Sequence, residues 1–316
     1  MTHAHHHDHD SHAGHSHGPG GHAHAPANFG KAFAIGIALN TAFVIVEAVY
    51  GYASGSMALV ADAGHNLSDV LGLTAAWIAA VLSQRAPTPR FTYGLRGSSI
   101  LAALFNAVFL LVAVGAIAWE AVLRLLDPAP VAEITVIVVA LIGIAVNGIT
   151  AWLFASGRDS DLNIRGAYLH MVADAAVSAG VVVAAIVIMV TGWLWIDAIT
   201  SLAICLLIVW GTWSLLRDST AMSLAAVPRG IDPAEVRAYL QRCEGVVQVH
   251  DLHIWCMSTT EVALTCHLVI PSGAPGDSYL MKIAAGLKHD FGIGHATIQI
   301  ETDPNSACAL APEHVI

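Results

Sequence analysis

Two pairs of side chains able to hold a metal ion stand four residues apart in this chain. They are His65 and Asp69, in AlaAspAlaGlyHisAsnLeuSerAspVal, and His170 and Asp174, in HisMetValAlaAspAlaAla. Spacing of i, i+4 puts both members of a pair on one face of a helix. Two such helices present two imidazoles and two carboxylates to a single cation, a nitrogen and oxygen donor set that suits tetrahedral zinc. Both pairs lie inside long apolar runs. Ionisable groups at that depth are costly and mark ion pathways more often than architecture. Polar side chains that merely pin helices together are the alternative, but two pairs of the same form exceed what pinning requires.

The elements that must position these pairs are membrane helices. The chain is 56% hydrophobic and 11% charged with a mean hydropathy of +0.66, too apolar for a soluble domain of its length. Weakly charged segments run from Phe33 to Tyr52, Met57 to Leu82, Ile100 to Leu123, Ile134 to Phe154, Ala167 to Thr191 and Trp195 to Leu216. Each is near or above the ~20 residues that cross a bilayer as helix, which predicts six spans with both termini on one side. Lys31, Arg85, Arg90, Arg96, Arg158, Arg165 and Arg217 flank that side and Arg124 alone the other. The excess of basic residues places both termini in the cytoplasm, and the short loops suggest a bacterial inner membrane. The first apolar run begins after a long His-rich segment, has no basic n-region and no small-residue cleavage site, so it reads as a span and not a secretory signal.

The formal charge of -10 is scattered and no basic cluster offers a phosphate footprint, so nucleic acid is excluded as a partner. Cys205, Cys243, Cys256, Cys266 and Cys308 show no CxxC spacing and are expected to be reduced thiols. Ligation by Cys256 or Cys266 is a lesser alternative to their use as small hydrophobes.

Three segments follow. Residues 1–27 hold ten histidines among Gly, Ala, Ser and Asp; the composition cannot bury a core and predicts a disordered segment that gathers metal loosely. Residues 28–217 carry the spans. Residues 218–316 turn polar and form a cytosolic α+β domain. A helix starts at the Asp232 cap with Pro233 in first position. Strands follow at Val246 to Cys256 and Glu261 to Ile270, then a helix at Ser278 to Phe291 and a strand at Ala296 to Glu301. A hairpin turn centred between Ser258 and Thr259 sets His250 opposite His267, close enough for one metal to bridge them. Glu301 is placed to add a third ligand. His253, of opposite strand parity, is expected on the other face, and His289, His295 and His314 are expected to be solvated.

Further polar residues sit within the spans. Asn40, Asn106 and Asn147 are expected to make interhelical hydrogen bonds, whereas Glu47 and Asp197 either line a wet cavity or bind helices together. Asp62, three residues before His65, reads as a residue behind the ligands or a gate rather than a ligand.

These features together resemble the cation diffusion facilitator family: HxxxD on the second and fifth spans, a His-rich amino end, Tyr93 and Gly94 before the third span, ArgGlyAlaTyrLeuHis leading into His170, and ValHisAspLeuHisIleTrp in the tail. The similarity is greatest to its zinc and cobalt-zinc-cadmium exporters and vesicular zinc transporters. It implies a homodimeric, proton-coupled exporter with ferredoxin-like cytosolic domains that dimerise and sense metal. Transport ligands carry over to His65, Asp69, His170 and Asp174, and regulatory ligands to His250, His267 and Glu301. Two departures matter. SerGlnArgAlaProThrProArg between spans two and three has no histidine, so no further site is expected there. The tail ends with only Cys308, which leaves no paired-cysteine site.

Zinc binds deprotonated ligands, so loading the site releases protons and protonating it expels the metal. Alternating access then lets a proton gradient drive zinc, with cadmium and cobalt as further substrates, out of the cytoplasm without enzymatic chemistry. An intramembrane zinc hydrolase would need an open water position and a base such as that of HExxH, and that motif is absent. A sensor that transports nothing would leave the HxxxD pairs unexplained.

Overall fold

A computed structural model of the protein describes residues 31–83, 85–155, 162–273 and 275–303. The His-rich segment, Cys308 and His314 lie outside the described residues. Six long helices come first: α1 (Lys31–Ser54), α2 (Met57–Ser83), α3 (Ser98–Leu126), α4 (Glu133–Ala155), α5 (Leu162–Thr191) and α6 (Trp195–Ser223). Five of them contain a stretch long and apolar enough to cross a membrane. The sixth, α2, has 27 residues, a length of roughly 40 Å at helical rise, and carries Asp62, His65, Asn66 and Asp69. The chain is a multi-pass α-helical membrane protein. The helices match the expected spans with longer ends; α5 begins before Ala167 and α6 runs through the expected boundary at residue 217 to Ser223.

Phe105, Val112, Trp119, Trp152, Leu206, Trp210 and Trp213 are exposed on the outer helix surfaces, as a bilayer-facing surface requires, while Phe43, Leu59, Leu110, Val114, Val136, Val139 and Val181 meet in the interior. Small residues allow the close approach. A Cβ on Gly143 would come within 2.6 Å of the Phe43 ring, which seats α1 against α4. The turn between α1 and α2 needs Gly55, at φ +72. Beyond it, Asp197 of α6 accepts from the backbone N–H of Met57 at 2.6 Å and Ala58 at 3.3 Å, and from the Ser56 hydroxyl. A buried carboxylate from another helix thereby caps the start of α2, the helix that carries His65 and Asp69.

The tail forms an α-β-β-α-β domain: α7 (Pro233–Gln241), β1 (Gln248–Cys256), β2 (Val262–Val269), α8 (Asp277–Phe291) and β3 (Ile293–Glu301). Asp232 caps α7, accepting from the Ala234 N–H at 2.8 Å. The sheet order is β1-β2-β3, with β1 antiparallel and β3 parallel to β2; α8 supplies the crossover that a parallel pair demands. Val236, Leu240, Val249, Ile254, Leu264, Cys266, Leu268, Ile283 and Leu287 form the core between the helices and one sheet face, leaving the other face for polar side chains.

Candidate metal sites in the membrane helices and the tail sheet

His65 and Asp69 lie one turn apart on α2, and His170 and Asp174 one turn apart on α5. The structure brings the two turns together. His65 Nε2 is 3.1 Å from Asp174 Oδ1, and His170 Nε2 is 3.3 Å from Asp69 Oδ1 and 3.6 Å from Asp174 Oδ2. Donor atoms of His65, Asp69 and Asp174 all fall within 4.8 Å of one another, and the two imidazole rings meet edge to face at 6.4 Å. Ligands about 2.0–2.1 Å from a tetrahedral zinc stand roughly 3.3 Å from each other, so these separations suit one ion. Exposure is graded across the cluster: the His170 side chain is 42% exposed and Asp69 24%, but His65 is 15% and Asp174 2%. The more open pair lies toward the end of α2 and the start of α5, the side on which the tail domain docks.

The other polar residues divide by role. Asn66 Nδ2 donates to Glu47 Oε2 at 2.9 Å, joining α1 to α2, and the Ser178 hydroxyl donates to Asp62 Oδ2 at 2.9 Å, joining α5 to α2. Asp62 is not among the clustered donors. The expectation of interhelical hydrogen bonding is overturned at Asn147, which is fully buried with neither side-chain polar atom partnered among the described residues. Asn106 likewise leaves its Oδ1 without a partner.

In the tail, His250 pairs with His267 across β1 and β2, their rings 5.1 Å apart. His267 Nδ1 is 3.0 Å from Glu301 Oε1 and His250 Nε2 is 3.4 Å from Glu301 Oε2. The three donors fall within 4.8 Å of one another. Both ring nitrogens of buried His250 lack a hydrogen-bond partner, an arrangement that costs free energy unless a ligand fills it.

The hairpin reaches this pairing by a different route from the expected one. Cys256 pairs with Val262 instead of Glu261, so the turn is centred one half-step later, on Thr259. A β-bulge between His250 and His253 then restores the register. Asp251 occupies the bulge at φ +50, a left-handed conformation that Asp tolerates better than most residues. The bulge also reverses the parity of His253: it faces Thr265, on the same sheet face as His267, and not on the opposite face. Asp251 sits between them, Oδ1 2.8 Å from His253 Nε2 and Oδ2 3.4 Å from His267 Nε2. It is the residue that sequence reasoning missed. Its only signal was an Asp beside the first histidine of ValHisAspLeuHisIleTrp.

Cys266 and Cys256 belong to the core side of the sheet. Burial, with Asp251 and Cys243 nearby, pushes the Cys266 thiol up to about 12, and burial also raises Cys256. Neither offers a thiolate at neutral pH. His295 is exposed, as expected, and its ring also meets Tyr93 edge to face at 5.7 Å. Nearby, the Thr259 N–H donates to Ser99 Oγ at 3.0 Å and Arg96 pairs with the Glu261 carboxylate. The hairpin tip and the start of β3 thus dock on the start of α3. His289 stays exposed beside Asp290.

Comparison with known proteins agrees with this architecture. Residues 33–222 match the family described as cation efflux transmembrane domain, and residues 228–303 the cation efflux protein, cytoplasmic domain. The cadmium, cobalt and zinc/H(+)-K(+) antiporter of Bacillus subtilis is 35% identical over 281 residues, covering 87% of this chain and 90% of the relative. The metal cation efflux system protein CzcD of Cupriavidus metallidurans is 37% identical over 280 residues, covering 88% and 89%. The zinc transporter ZitB of Escherichia coli is 37% identical over 274 residues, covering 86% and 87%. With both of its domains matched and these relatives aligned over nearly their whole length, the chain belongs to the cation efflux family.

Proposed function

We propose that this protein exports zinc, and with it cadmium and cobalt, from the cytoplasm in exchange for protons, using His65, Asp69, His170 and Asp174 as the transport site. The observation that carries the reading is the meeting of two HxxxD turns from different helices at ligand-to-ligand distances of 3.1–3.6 Å within the membrane helices. The name of the Bacillus subtilis relative gives cadmium, cobalt and zinc together with protons and potassium, that of the Escherichia coli relative zinc, and that of the Cupriavidus metallidurans relative metal cations.

Two imidazoles and two carboxylates satisfy a tetrahedral ion with no position left for a reactive water, which favours carriage over hydrolysis. The ligands bind metal only when deprotonated, so metal and protons compete for one set of atoms. Exposure graded toward the tail-domain side corresponds to a site open to the cytoplasm, where the metal loads. Outward reorientation exposes the ligands to external protons, which release the metal. The host is a bacterial inner membrane with both termini cytoplasmic, and the tail domains join two copies into a homodimer.

His250, His267 and Glu301 form a regulatory zinc site. His267 holds Glu301 through one ring nitrogen and Asp251 through the other, the kind of carboxylate support that orients a ligating imidazole. β2 leads from this cluster to the Arg96 contact at Glu261, roughly 20 Å at strand rise, so zinc bound there can bias the position of α3.

Uptake of zinc, cadmium, cobalt and manganese by reconstituted protein under an imposed pH gradient tests the function. Zinc uptake that collapses with the pH gradient supports it. Zinc uptake indifferent to the gradient refutes the coupling, and peptide cleavage without uptake would restore the hydrolase.

A further inference from the structure

Glu47 and Asp62 are both fully buried, on α1 and α2, and neither is bonded to any of the four transport ligands among the described residues. Each carboxyl has one oxygen held by a neutral donor: Asn66 Nδ2 to Glu47 Oε2 and Ser178 Oγ to Asp62 Oδ2, each at 2.9 Å. Each has a second oxygen, Glu47 Oε1 and Asp62 Oδ1, without any donor. The two groups lie within hydrogen-bonding reach of each other. Carboxyls that face one another out of water cannot both stay ionised; a proton between them supplies the missing donor and removes the repulsion. Asn66 and Ser178 come from α2 and α5, the same two helices that carry the metal ligands. His65 of α2 and Asp174 of α5 are the ionisable groups in electrostatic range; Asn147 and Thr150, the buried polar residues of α4 among the described residues, are uncharged.

We propose that Glu47 and Asp62 form a second proton site of the exchanger, separate from the metal ligands and emptied when metal loads. The inference rests on the exchange function proposed above. A dication beside His65 and Asp174 favours loss of the shared proton: the O–H bond breaks and the proton leaves to water. Departure of the metal favours its return from the opposite side. Occupation alternates, as antiport requires, and no co-reactant is needed. Glu47 and Asp62 are positioning and proton-holding groups here, not metal ligands.

The experiment measures zinc and proton flux together in proteoliposomes holding wild type, Glu47→Gln, Asp62→Asn or Asp174→Ala. Glu47→Gln and Asp62→Asn should still move zinc down its own gradient, yet release fewer protons, by about one per metal ion, and respond less to an imposed pH gradient. An unchanged proton-to-zinc ratio and pH profile in both would overturn the proposal. So would an effect that appears only when potassium or sodium is present, since the dyad would then hold a metal cation. Infrared difference spectra of the wild type keep the test independent of variant folding. A protonated-carboxyl C=O band should be present without zinc and vanish on its addition, and absence of that band refutes the shared proton. Zinc flux surviving Asp174→Ala strikes the transport-site reading instead, and leaves the infrared result to stand by itself.

Discussion

The two ligand clusters use similar donors but are held in opposite ways. In the membrane, the four proposed transport ligands come from two helices, α2 and α5, and exposure falls from 42% at His170 to 2% at Asp174. In the tail, three ligands come from neighbouring strands of one sheet, and all are largely buried, at 7% for His250, 10% for His267 and 14% for Glu301. Ladder hydrogen bonds hold the strand spacing, whereas packed helices slide and rotate as units. A site built across two helices can come apart and face a new direction; a site built into one sheet can only be filled or empty. The difference fits the carriage proposed for the first site and the regulatory binding proposed for the second.

The sharpest way to break that contrast is to remove an anion from the mobile site. Asp69→Ala and Asp174→Ala should each lower zinc flux by more than about tenfold while dimerisation persists, because a lost anionic ligand costs more than the ~1.4 kcal/mol of one decade. Retention of half the wild-type flux by both variants, measured in proteoliposomes, would dismantle the membrane site.

A subtler change keeps four ligands and alters their hardness. His170→Asp should lose preference for zinc over manganese, since oxygen-rich sites suit manganese better. Its pH profile should move downward, because a carboxylate takes up protons at lower pH than an imidazole. Unchanged metal ratios and pH profile would take His170 out of the ligand set.

The fixed site should fail differently. With His250 and His267 both replaced by Ala, calorimetry on the full chain should register the loss of one zinc-binding event while transport at saturating metal continues. Zinc binding equal to wild type would take both histidines out of the ligand set. Asp251→Asn sharpens the point, since Asn accepts the left-handed bulge but weakens the support of His267. Zinc affinity of the tail should drop by about tenfold, the usual cost of losing such a partner, with sheet content by circular dichroism unaltered. An equal affinity would make Asp251 a bulge residue and nothing more.

The smallest effect is expected outside both clusters. Removing residues 2–24 should slow transport only when metal is scarce, because a loose chelator raises local supply without entering the conformational step. A collapse of the maximal rate would place the segment inside the mechanism.

Much of this protein is legible in one dimension. Helices crossing a membrane announce themselves because a bilayer demands ~20 apolar residues, and i, i+4 spacing assigns His65 with Asp69 and His170 with Asp174 to shared faces without any knowledge of packing. The strands and Asp232 cap of the tail were readable from alternation and capping chemistry. The failures have a common cause. Strand parity puts His253 on the wrong face because it assumes an unbroken ladder, and the bulge at Asp251 breaks it. A buried Asn147 predicts a bond to a neighbour, but a helix face says nothing about whether the residue across from it is polar.

The sequence by itself determined the solvent of the helices, the donor types and their pairing within each turn, since these depend on composition and on local periods of 3.6 and 2. Only the tertiary structure decided that α2 and α5 present their turns to each other, that Asp197 of α6 caps α2, that Glu47 faces Asp62, and that Asp251 stands behind His267. Each of these joins residues distant in the chain, and the geometry of such contacts is set by how whole elements pack against one another, a quantity that no local spacing encodes.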